Sequence, residues 1–540
     1  MFNLYVSGQA HHEQLPDGTS LYDYHYQTPP IHSFKAACEP STWRHHYKPF
    51  AVAINQPKTG EVMLIRDHLG VAPLYYYHTP GKKLIIAETI PLIIEQLSSP
   101  PFLHKQQIHM LFSREKYYSD ETFYEGIYRV EPGHMMHFKH DGSVEKKAYW
   151  QLEVKGDVLH YSDDRDYLAH FSELMKESTL NAIDDQTNLA AEFSAGLDSS
   201  AVYCCLRELG INPTLYMHIA KPGTQPAQLY NSQLEESFIE HFQQPRIQRI
   251  GDENFEPIQV FTQYAKWFGG SAPYMFPMFA SNIHRAVAAN KHPILLSGFG
   301  GDQGVSSNIG FNYCIPELMH QKKFRDAWNQ LTVNQDKTQS PVRWLKNGVH
   351  FCQYAHPALY QMSISRHQIK QIINDRFAKN SNKTLSYHPQ KRLYFNTERE
   401  GMRSILQGPH SSEIRMRIEY SSVVAKQLGF EFRYPLLYPK LLEFFLSLPL
   451  TQKKRHGVGR YLMRQYLSRT LPEDIIADYK KSEGLAIAPS TFELYQRACE
   501  ENQYKEEFSE LPYSHLIQAH NPGLRMKNLV KGFMLKQGVC

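Results

Sequence analysis

The sequence lacks the marks of a secreted or membrane protein. No apolar run of about 18 residues or more occurs, so no membrane-spanning helix is expected. The start, MFNLYVSGQAHHEQLPDG, lacks the charged and apolar regions of a signal peptide. The seven cysteines are odd in number and show no CxxC spacing, which argues against a disulfide framework and a zinc site. We therefore expect a reducing compartment, the cytoplasm.

The sequence also lacks a strong excess of charge of either sign. A formal net charge of +4 is small for 540 residues, and the basic residues are spread out, so no nucleic-acid partner is expected. The 28 histidines are scattered, and no transition-metal site is assigned to them. The 42% hydrophobic content is that of a globular protein, and the length favours two domains.

The first 150 residues are predicted to form short strands separated by turns. Gly, Pro or Asp-Gly breaks separate the β-rich runs FAVAIN, EVMLIRD, PLYYYH, KLIIAE and GHMMHFKHDGSV. The pattern changes after Trp150, and a helical stretch follows from Tyr167 to Ala182. We expect a small, β-rich domain of the α+β type at 1–150 and a second domain at 151–540.

Strands and helices alternate in the second domain, which predicts an α/β fold with a parallel sheet. The strand runs LAAEFS, TLYMHIA, IQRIG and HPILLSG are interleaved with the helical runs SSAVYCCLREL, LEESFIEHF and IQVFTQYAKWF. Beyond residue 310 the chain looks mostly helical, through LEFFLSLP and GRYLMRQYLSRTLP, with no convincing strand run.

The segment AEFSAGLDSSAVY is the strongest local signal. It reads as an apolar strand, a turn of small residues, and a helix that opens with two serines able to cap it. Such a turn presents backbone amides and the positive end of a helix to a phosphate. The turn differs from the Walker A form, because it carries Asp198 and lacks Gly-Lys-Ser/Thr. An acidic residue beside phosphates requires a bridging Mg²⁺. The alternative is an ordinary strand-to-helix turn.

The segment HPILLSGFGGDQGVSSN is the second signal, again an apolar strand run followed by glycines and Asp302. In an open α/β sheet the loops at the carboxyl ends of the strands meet at one crevice, so Asp198 and Asp302 could share a metal. Two carboxylates together with polyphosphate oxygens suit Mg²⁺. The alternative is a glycine-rich surface turn.

Together these loops resemble those of the asparagine synthetase family, which carries SGGxDS followed by an SGxGxDE-like loop. The resemblance covers nearly the whole chain. LIRDHLGVAPLYYY and YEGIYRVEPGHMMHF look like the family's amidotransferase domain. RIEYSSVVAKQLGFEFRYPLLYPKLLEF and GRYLMRQYLSRTLPEDI look like its synthetase tail.

The resemblance implies an amidotransferase-like (Ntn-type) domain followed by a pyrophosphatase-loop synthetase domain with a helical C-terminal part. The second domain would turn ATP and a carboxylate into an acyl-adenylate. Asp198 and Asp302 would bind Mg²⁺, and Lys481 in DYKKSEG falls on the family's catalytic lysine, with Lys480 or a plain surface role as alternatives. The nucleotide's phosphates would contact Ser194, Gly196, Asp198, Ser199, Ser200, Gly298, Gly300 and Asp302.

The amidotransferase domain departs from the family at its nucleophile. Such a domain uses a Cys exposed as the first residue after removal of Met, whereas position 2 here is Phe and Cys38 is internal. Glutamine hydrolysis should therefore be absent, and the domain is expected to be structural. The amine must come from another source.

A second departure lies in SGFGGD, where ammonia-using asparagine synthetases have Glu and this chain has Phe299. β-lactam synthetase and the lasso-peptide macrolactam cyclases are similar in carrying an aromatic residue there, so Phe299 favours an organic amine over ammonia. Glu419 falls where β-lactam synthetase carries the Glu of its Tyr-Glu dyad. A general-base role for Glu419 competes with a helix-capping or salt-bridging one.

The first hypothesis is therefore a ligase that closes a macrolactam ring in a precursor peptide, with a leader protease as a further partner. Asparagine synthesis from ammonia is the second. Ala195 replaces the usual second Gly and Gln303 the usual Glu, so an inactive relative that acts as a binding protein is the third. If residue 195 needs a positive φ, the alanine methyl would cost about 1 kcal/mol or more.

Overall fold

The structure is a computed structural model. It describes residues 3–25, 28–79, 83–112, 120–153, 156, 158–219, 238–242, 245–251, 256–270, 280–305, 314–332, 341–354, 395–408, 411–455, 458–471 and 476. Among the helices in these ranges, none is both long enough and apolar enough to cross a bilayer.

Ten short strands build the first part of the chain. They are β1 (Asn3–Val6), β2 (His11–Gln14), β3 (Ser20–Asp23), β4 (Ala51–Gln56), β5 (Glu61–Arg66), β6 (Tyr75–Thr79), β7 (Lys83–Ala87), β8 (Ile127–Arg129), β9 (His134–Phe138) and β10 (Val144–Ala148). They form sheets in the orders β1-β7-β6-β8 and β10-β9-β5-β4-β3-β2. Buried apolar residues of both sheets belong to one cluster, so the sheets pack face to face. The helices here are α1 (Phe34–Ala37), α2 (Pro40–Arg44), α3 (Ile90–Ile94) and α4 (Lys105–Phe112).

The strand runs predicted for residues 1–150 all form strands, from β4 to β7 and in β9 and β10. Four further strands, β1, β2, β3 and β8, were not predicted. They are three or four residues long, which is too short for an apolar run or an alternation to stand out in the sequence, and β2 is exposed along its whole length.

A parallel sheet of five strands organises the second part. The strands are β11 (Leu189–Glu192), β12 (Thr214–His218), β13 (Arg246–Ile250), β14 (Ile294–Leu296) and β15 (Glu431–Arg433), in the order β13-β12-β11-β14-β15. All neighbouring pairs run parallel, as the alternation of strands and helices predicts. The expectation of no strand beyond residue 310 was wrong. β15 escaped notice because it has three residues and lies at the edge of the sheet.

Helices cover this sheet and continue beyond it. They are α5 (Asp164–Ile183), α6 (Leu197–Glu208), α7 (Pro257–Phe268), α8 (Ser281–Ala289), α9 (Cys314–His320), α10 (Phe324–Thr332), α11 (Pro341–Tyr354), α12 (Glu398–Leu406), α13 (Ser412–Leu428), α14 (Pro439–Ser447), α15 (Leu450–Lys453) and α16 (Tyr461–Leu467). The predicted helical run LEESFIEHF is helical over residues 238–242, and its first four residues lie outside the described ranges. A two-stranded ribbon of β16 (Lys454–Arg455) and β17 (Val458–Gly459) precedes α16.

The chain order places a crevice between β11 and β14. β11 lies at the centre of the sheet, with β12 on one side and β14 on the other. The connections that leave β11 and β14 therefore diverge at the carboxyl ends of two adjacent strands, where open α/β sheets bind ligands. Both glycine-containing loops that the sequence singles out begin at this point.

Candidate active site

The first loop runs from β11 directly into α6. Gly196 is the N-cap of α6 and provides no side-chain cap, so the serines do not cap the helix as the sequence suggested. Ser199 lies in the first turn instead, and its hydroxyl donates to the carbonyl oxygen of Gly196 at 3.1 Å and accepts from the amide of Ser194 at 3.3 Å. The first amides of a helix without a side-chain cap, together with the helix dipole, form a site for an anion.

Ala195 adopts the left-handed conformation that the loop requires. Its φ is +52°, a value that glycine adopts freely and alanine adopts at a cost of about 1–2 kcal/mol. Residue 195 therefore needs a positive φ, which is the condition under which replacing the family's usual glycine by alanine was expected to be costly. The loop stores strain at this position. The side chain is nevertheless buried, so its methyl group is accommodated by the packing.

Glycines in the second loop allow the two loops to touch. A Cβ at Gly298 would lie 2.8 Å from the amide nitrogen of Ser199, and one at Gly301 would lie 2.3 Å from Cγ of Asp198. Gly300 has a φ of +100°. Any side chain at 298 or 301 would collide with the first loop, so the glycines bring the backbone of one loop against the other.

Asp198 and Asp302 lie on either side of one positive charge. Nη1 of Arg460 is 3.6 Å from Oδ2 of Asp198, and Nη2 of the same guanidinium donates to Oδ1 of Asp302. Arg460 is the N-cap of α16 and is buried. Sequence reasoning did not single it out, although it lies in the GRYLMRQYL segment that carries part of the family resemblance.

This acid pair suits a magnesium ion in its chemistry. Two carboxylate oxygens with polyphosphate oxygens and water are the ligands that Mg²⁺ prefers. Two carboxylates that converge on a single cationic group in the structure fit that donor set. Within the described ranges, no group of three or more His, Cys, Asp or Glu side chains could hold a metal by itself, so phosphate oxygens would have to complete the coordination.

A closed cycle of four contacts lies beside the acid pair. Its members are Phe299, Ser297, Glu192 and Arg417. The amide of Phe299 donates to Oγ of Ser297 at 3.2 Å, and that hydroxyl donates to Oε2 of Glu192. Nη2 of Arg417 lies 3.9 Å from the same Oε2, and its guanidinium carbon lies 3.8 Å from the centre of the Phe299 ring. Glu192 was not among the site residues expected from the sequence. The signal that could have identified it is a carboxylate at the end of an otherwise apolar strand run.

Glu419 lies in the contact between the two parts of the chain. Its Oε1 accepts from the Tyr75 hydroxyl and from Nε of Arg129, each at 2.8 Å, and its Oε2 accepts from Nη2 of Arg66 at 2.9 Å. Burial acts to raise the pKa of Glu419, but the two arginines and the hydrogen bonds hold it below its usual value. The structure therefore favours the salt-bridging role, because a carboxylate saturated by two arginines is a weak proton acceptor.

Two further expectations from the sequence concern Lys481, with its neighbour Lys480, and Cys38. Lys481 and Lys480 lie outside the described residues, so their roles stay predictions. In the first part of the chain, burial raises the pKa of the Cys38 thiol to about 11. That thiol is protonated at neutral pH, and a protonated thiol is a weak nucleophile.

The fold combines two packed β-sheets with a parallel α/β sheet, and its two glycine-containing loops meet at the carboxyl ends of adjacent strands. The sequence pattern of the glutamine amidotransferase domain matches residues 41–150, and that of asparagine synthase matches residues 170–515. The second match covers more than half of the chain, and the chain belongs to the asparagine synthase family.

Curated relatives share short regions with this chain. A putative glutamine-hydrolyzing asparagine synthetase of Methanocaldococcus jannaschii is 25% identical over 29% of the chain and 31% of its own length. Amidase chyE of Penicillium rubens is 26% identical over 25% of the chain and 20% of its own length. Asparagine synthetase 2 of Bacillus subtilis is 23% identical over 28% of the chain and 22% of its own length. The shared regions thus span about a third or less of these relatives.

Proposed function

We propose that the protein is an ATP-dependent carbon-nitrogen ligase. It joins a carboxylate to AMP with release of pyrophosphate, and an amine then displaces AMP to form an amide. Membership of the asparagine synthase family supports this proposal. So does the convergence of Asp198 and Asp302 on one site beside an open helix N-terminus.

The proposed roles follow from the positions of the residues. Ser194, Gly196, Ser199 and Ser200 hold the pyrophosphate portion of ATP through the loop and the first turn of α6, and Gly298 and Gly300 shape the opposite wall. Asp198 and Asp302 would hold Mg²⁺, which neutralises phosphate charge when bound. Lys481 is assigned by the resemblance alone to the charge that develops on the reacting carbonyl.

For the amine, we propose the N-terminal amine of the substrate itself, so that the product is a macrolactam. The observation that carries this choice is Phe299, a buried aromatic ring at the position where ammonia-using relatives have Glu. The acyl donor is then an acidic side chain of a precursor peptide, and a leader protease would expose the amine. A cytoplasmic location and residues 1–150 as a scaffold without glutaminase activity belong to the same proposal.

The test supplies ATP, Mg²⁺ and a synthetic peptide with a free N-terminal amine and a single acidic side chain. Mass spectrometry should detect a product that has lost one water, with AMP and pyrophosphate in equal amounts. An N-acetylated copy of the peptide is the matched control and should give no ring. Absence of AMP formation across a panel of ring sizes would contradict the proposal.

Asparagine synthesis from ammonia is the second candidate. The archaeal and Bacillus relatives are named glutamine-hydrolyzing asparagine synthetases, which supports asparagine as the product but not free ammonia as the nitrogen source. Pyrophosphate release with aspartate and ammonium, without a peptide, would favour it.

A non-catalytic binding protein is the third candidate, with strained Ala195 as its basis. Failure to bind ATP in the presence of Mg²⁺ would favour that candidate.

A further inference from the structure

The proposed reaction needs a proton acceptor that Phe299 cannot provide. When an amine forms an amide, its nitrogen gives up a proton, and an aromatic ring has no atom to receive it. A peptide α-amine has a pKa of about 8, so it is also mostly protonated at neutral pH. A carboxylate near the reacting carbon would serve both needs.

Glu192 provides a carboxylate close to Phe299, the position at which ammonia-using relatives have Glu. It is the last residue of β11, two residues before Ser194 in the first loop. Its carboxylate is connected to the Phe299 backbone through the Ser297 hydroxyl and to the Phe299 ring through Arg417. The carboxylate therefore belongs to the same wall of the crevice as Phe299, although it comes from a different strand.

One oxygen of this carboxylate is engaged and the other is available. Both Ser297 and Arg417 contact Oε2. Among the residues that the structure describes, Oε1 has no hydrogen bond and no ion pair, and 16% of the Glu192 side chain is exposed. A carboxylate held by one oxygen and open at the other is arranged to accept a proton from a bound molecule.

The electrostatic surroundings agree with such a role. Burial raises the pKa of the Glu192 carboxyl, whereas Arg417 and the Ser297 hydroxyl act to lower it. The net upward shift makes the carboxylate a better proton acceptor than an exposed one. Glu419 has its pKa shifted the other way and both oxygens occupied.

We propose that Glu192 is the general base for amide formation, a carboxylate relocated from the second loop to the end of the central strand. This inference rests on the proposed ligase function. The neutral amine forms a bond to the acyl carbon, the bond from that carbon to the phosphate oxygen breaks, AMP leaves with the electron pair, and the amine proton passes to Oε1 of Glu192. Ser297 and Arg417 are positioning residues that fix Oε2.

The test separates the two half-reactions with the variant Glu192→Gln. Hydroxylamine, added in excess with ATP, Mg²⁺ and the acidic peptide, captures the acyl-adenylate as a hydroxamate and so reports adenylation. Ring closure of the same peptide, followed by mass spectrometry, reports attack by the amine. We expect hydroxamate formation within about twofold of the wild type and ring closure slowed by roughly 100-fold or more.

A pH profile distinguishes a base from a structural residue. Ring closure by the wild type should decline as the pH falls through the pKa of Glu192, and Glu192→Gln should lose this limb. Among the described residues, the groups that act on the Glu192 carboxyl are Arg417 from α13 and Ser297 from the end of β14. A guanidinium keeps its charge in proteins and a serine hydroxyl carries none, so neither produces this limb.

Two control variants show whether an effect of Glu192→Gln is specific to the carboxylate at position 192. Glu208→Gln, at the other end of α6, should change neither half-reaction, and Glu192→Asp should recover part of the ring closure. Equal loss of both half-reactions in Glu192→Gln, or ring closure at the wild-type rate, would overturn the assignment of Glu192. Failure of the wild type to form hydroxamate would instead refute the ligase function, and this inference with it.

Discussion

Replacing Glu419 by Gln should weaken the contact between the two parts of the chain. The substitution preserves the shape of the side chain and removes its charge. Arg66 and Arg129, which are 1% and 3% exposed, would then be buried without their counterion. Arg66 would keep its bonds to the carbonyl oxygens of Ala72 and Val130 at 2.7 and 3.0 Å, so the guanidinium could not turn toward water to compensate.

The size of the stability loss in Glu419→Gln follows from the charges that stay buried after the substitution. Removing one partner of a buried ion pair costs about 3–5 kcal/mol, because the other charge stays buried. Here two guanidinium groups lose their partner, and the Tyr75 hydroxyl loses a charged acceptor. We expect Glu419→Gln to lower the free energy of unfolding by about 3–5 kcal/mol, measured by urea unfolding followed by fluorescence.

A matched surface variant shows whether the effect comes from burial. Glu145 pairs with Lys139 at 2.8 Å, but 56% of its side chain is exposed. Glu145→Gln should therefore leave the unfolding midpoint unchanged within error. A loss below about 1 kcal/mol in Glu419→Gln would refute the reasoning, because it would mean that the two arginines do not depend on this carboxylate.

Three further predictions concern single positions. Ala195→Gly should raise the free energy of unfolding by up to about 1 kcal/mol by removing strain at φ +52°, and a lower melting temperature would argue against strain. Gly301→Ala should abolish pyrophosphate release by pushing Asp198 away, whereas Gly348→Ala, with no atom within 4 Å of the added Cβ, should not. Burial lowers the pKa of His68 from 6.5 to about 4. Its contribution to stability should therefore be complete above pH 6.5 and be lost as the pH falls toward 4, which thermal unfolding across that range would test.

The regular parts of the fold were predictable because burial leaves a periodic trace in the sequence. The apolar runs of β4 and β5 and the helical pattern of α5 are visible in the sequence without reference to their partners. β2 was not, because its side chains are all exposed and its strand form depends on pairing with β3. A short strand held by its neighbours leaves no such trace.

The candidate site was predictable only where backbone geometry demands particular residues. Gly301 was recognisable as part of a glycine turn, but its contact with Asp198 depends on two strands meeting in the sheet. Arg460 and Arg417 come from helices more than 200 residues further along the chain than β11, and nothing local marks them as partners of the loops. The Tyr438 hydroxyl donates to Glu177 at 2.7 Å, a bond that only the packed structure reveals.

The most direct test of the account is the magnesium dependence of ATP binding, measured by titration calorimetry without any acyl substrate. The wild type should bind ATP more tightly with Mg²⁺ than without it. Asp198→Asn and Asp302→Asn should each lose this gain while remaining folded at the temperature of the titration, and Asp166→Asn on α5 should retain it. Full magnesium-dependent binding in both site variants would contradict the claim that these two carboxylates hold the metal and the nucleotide together.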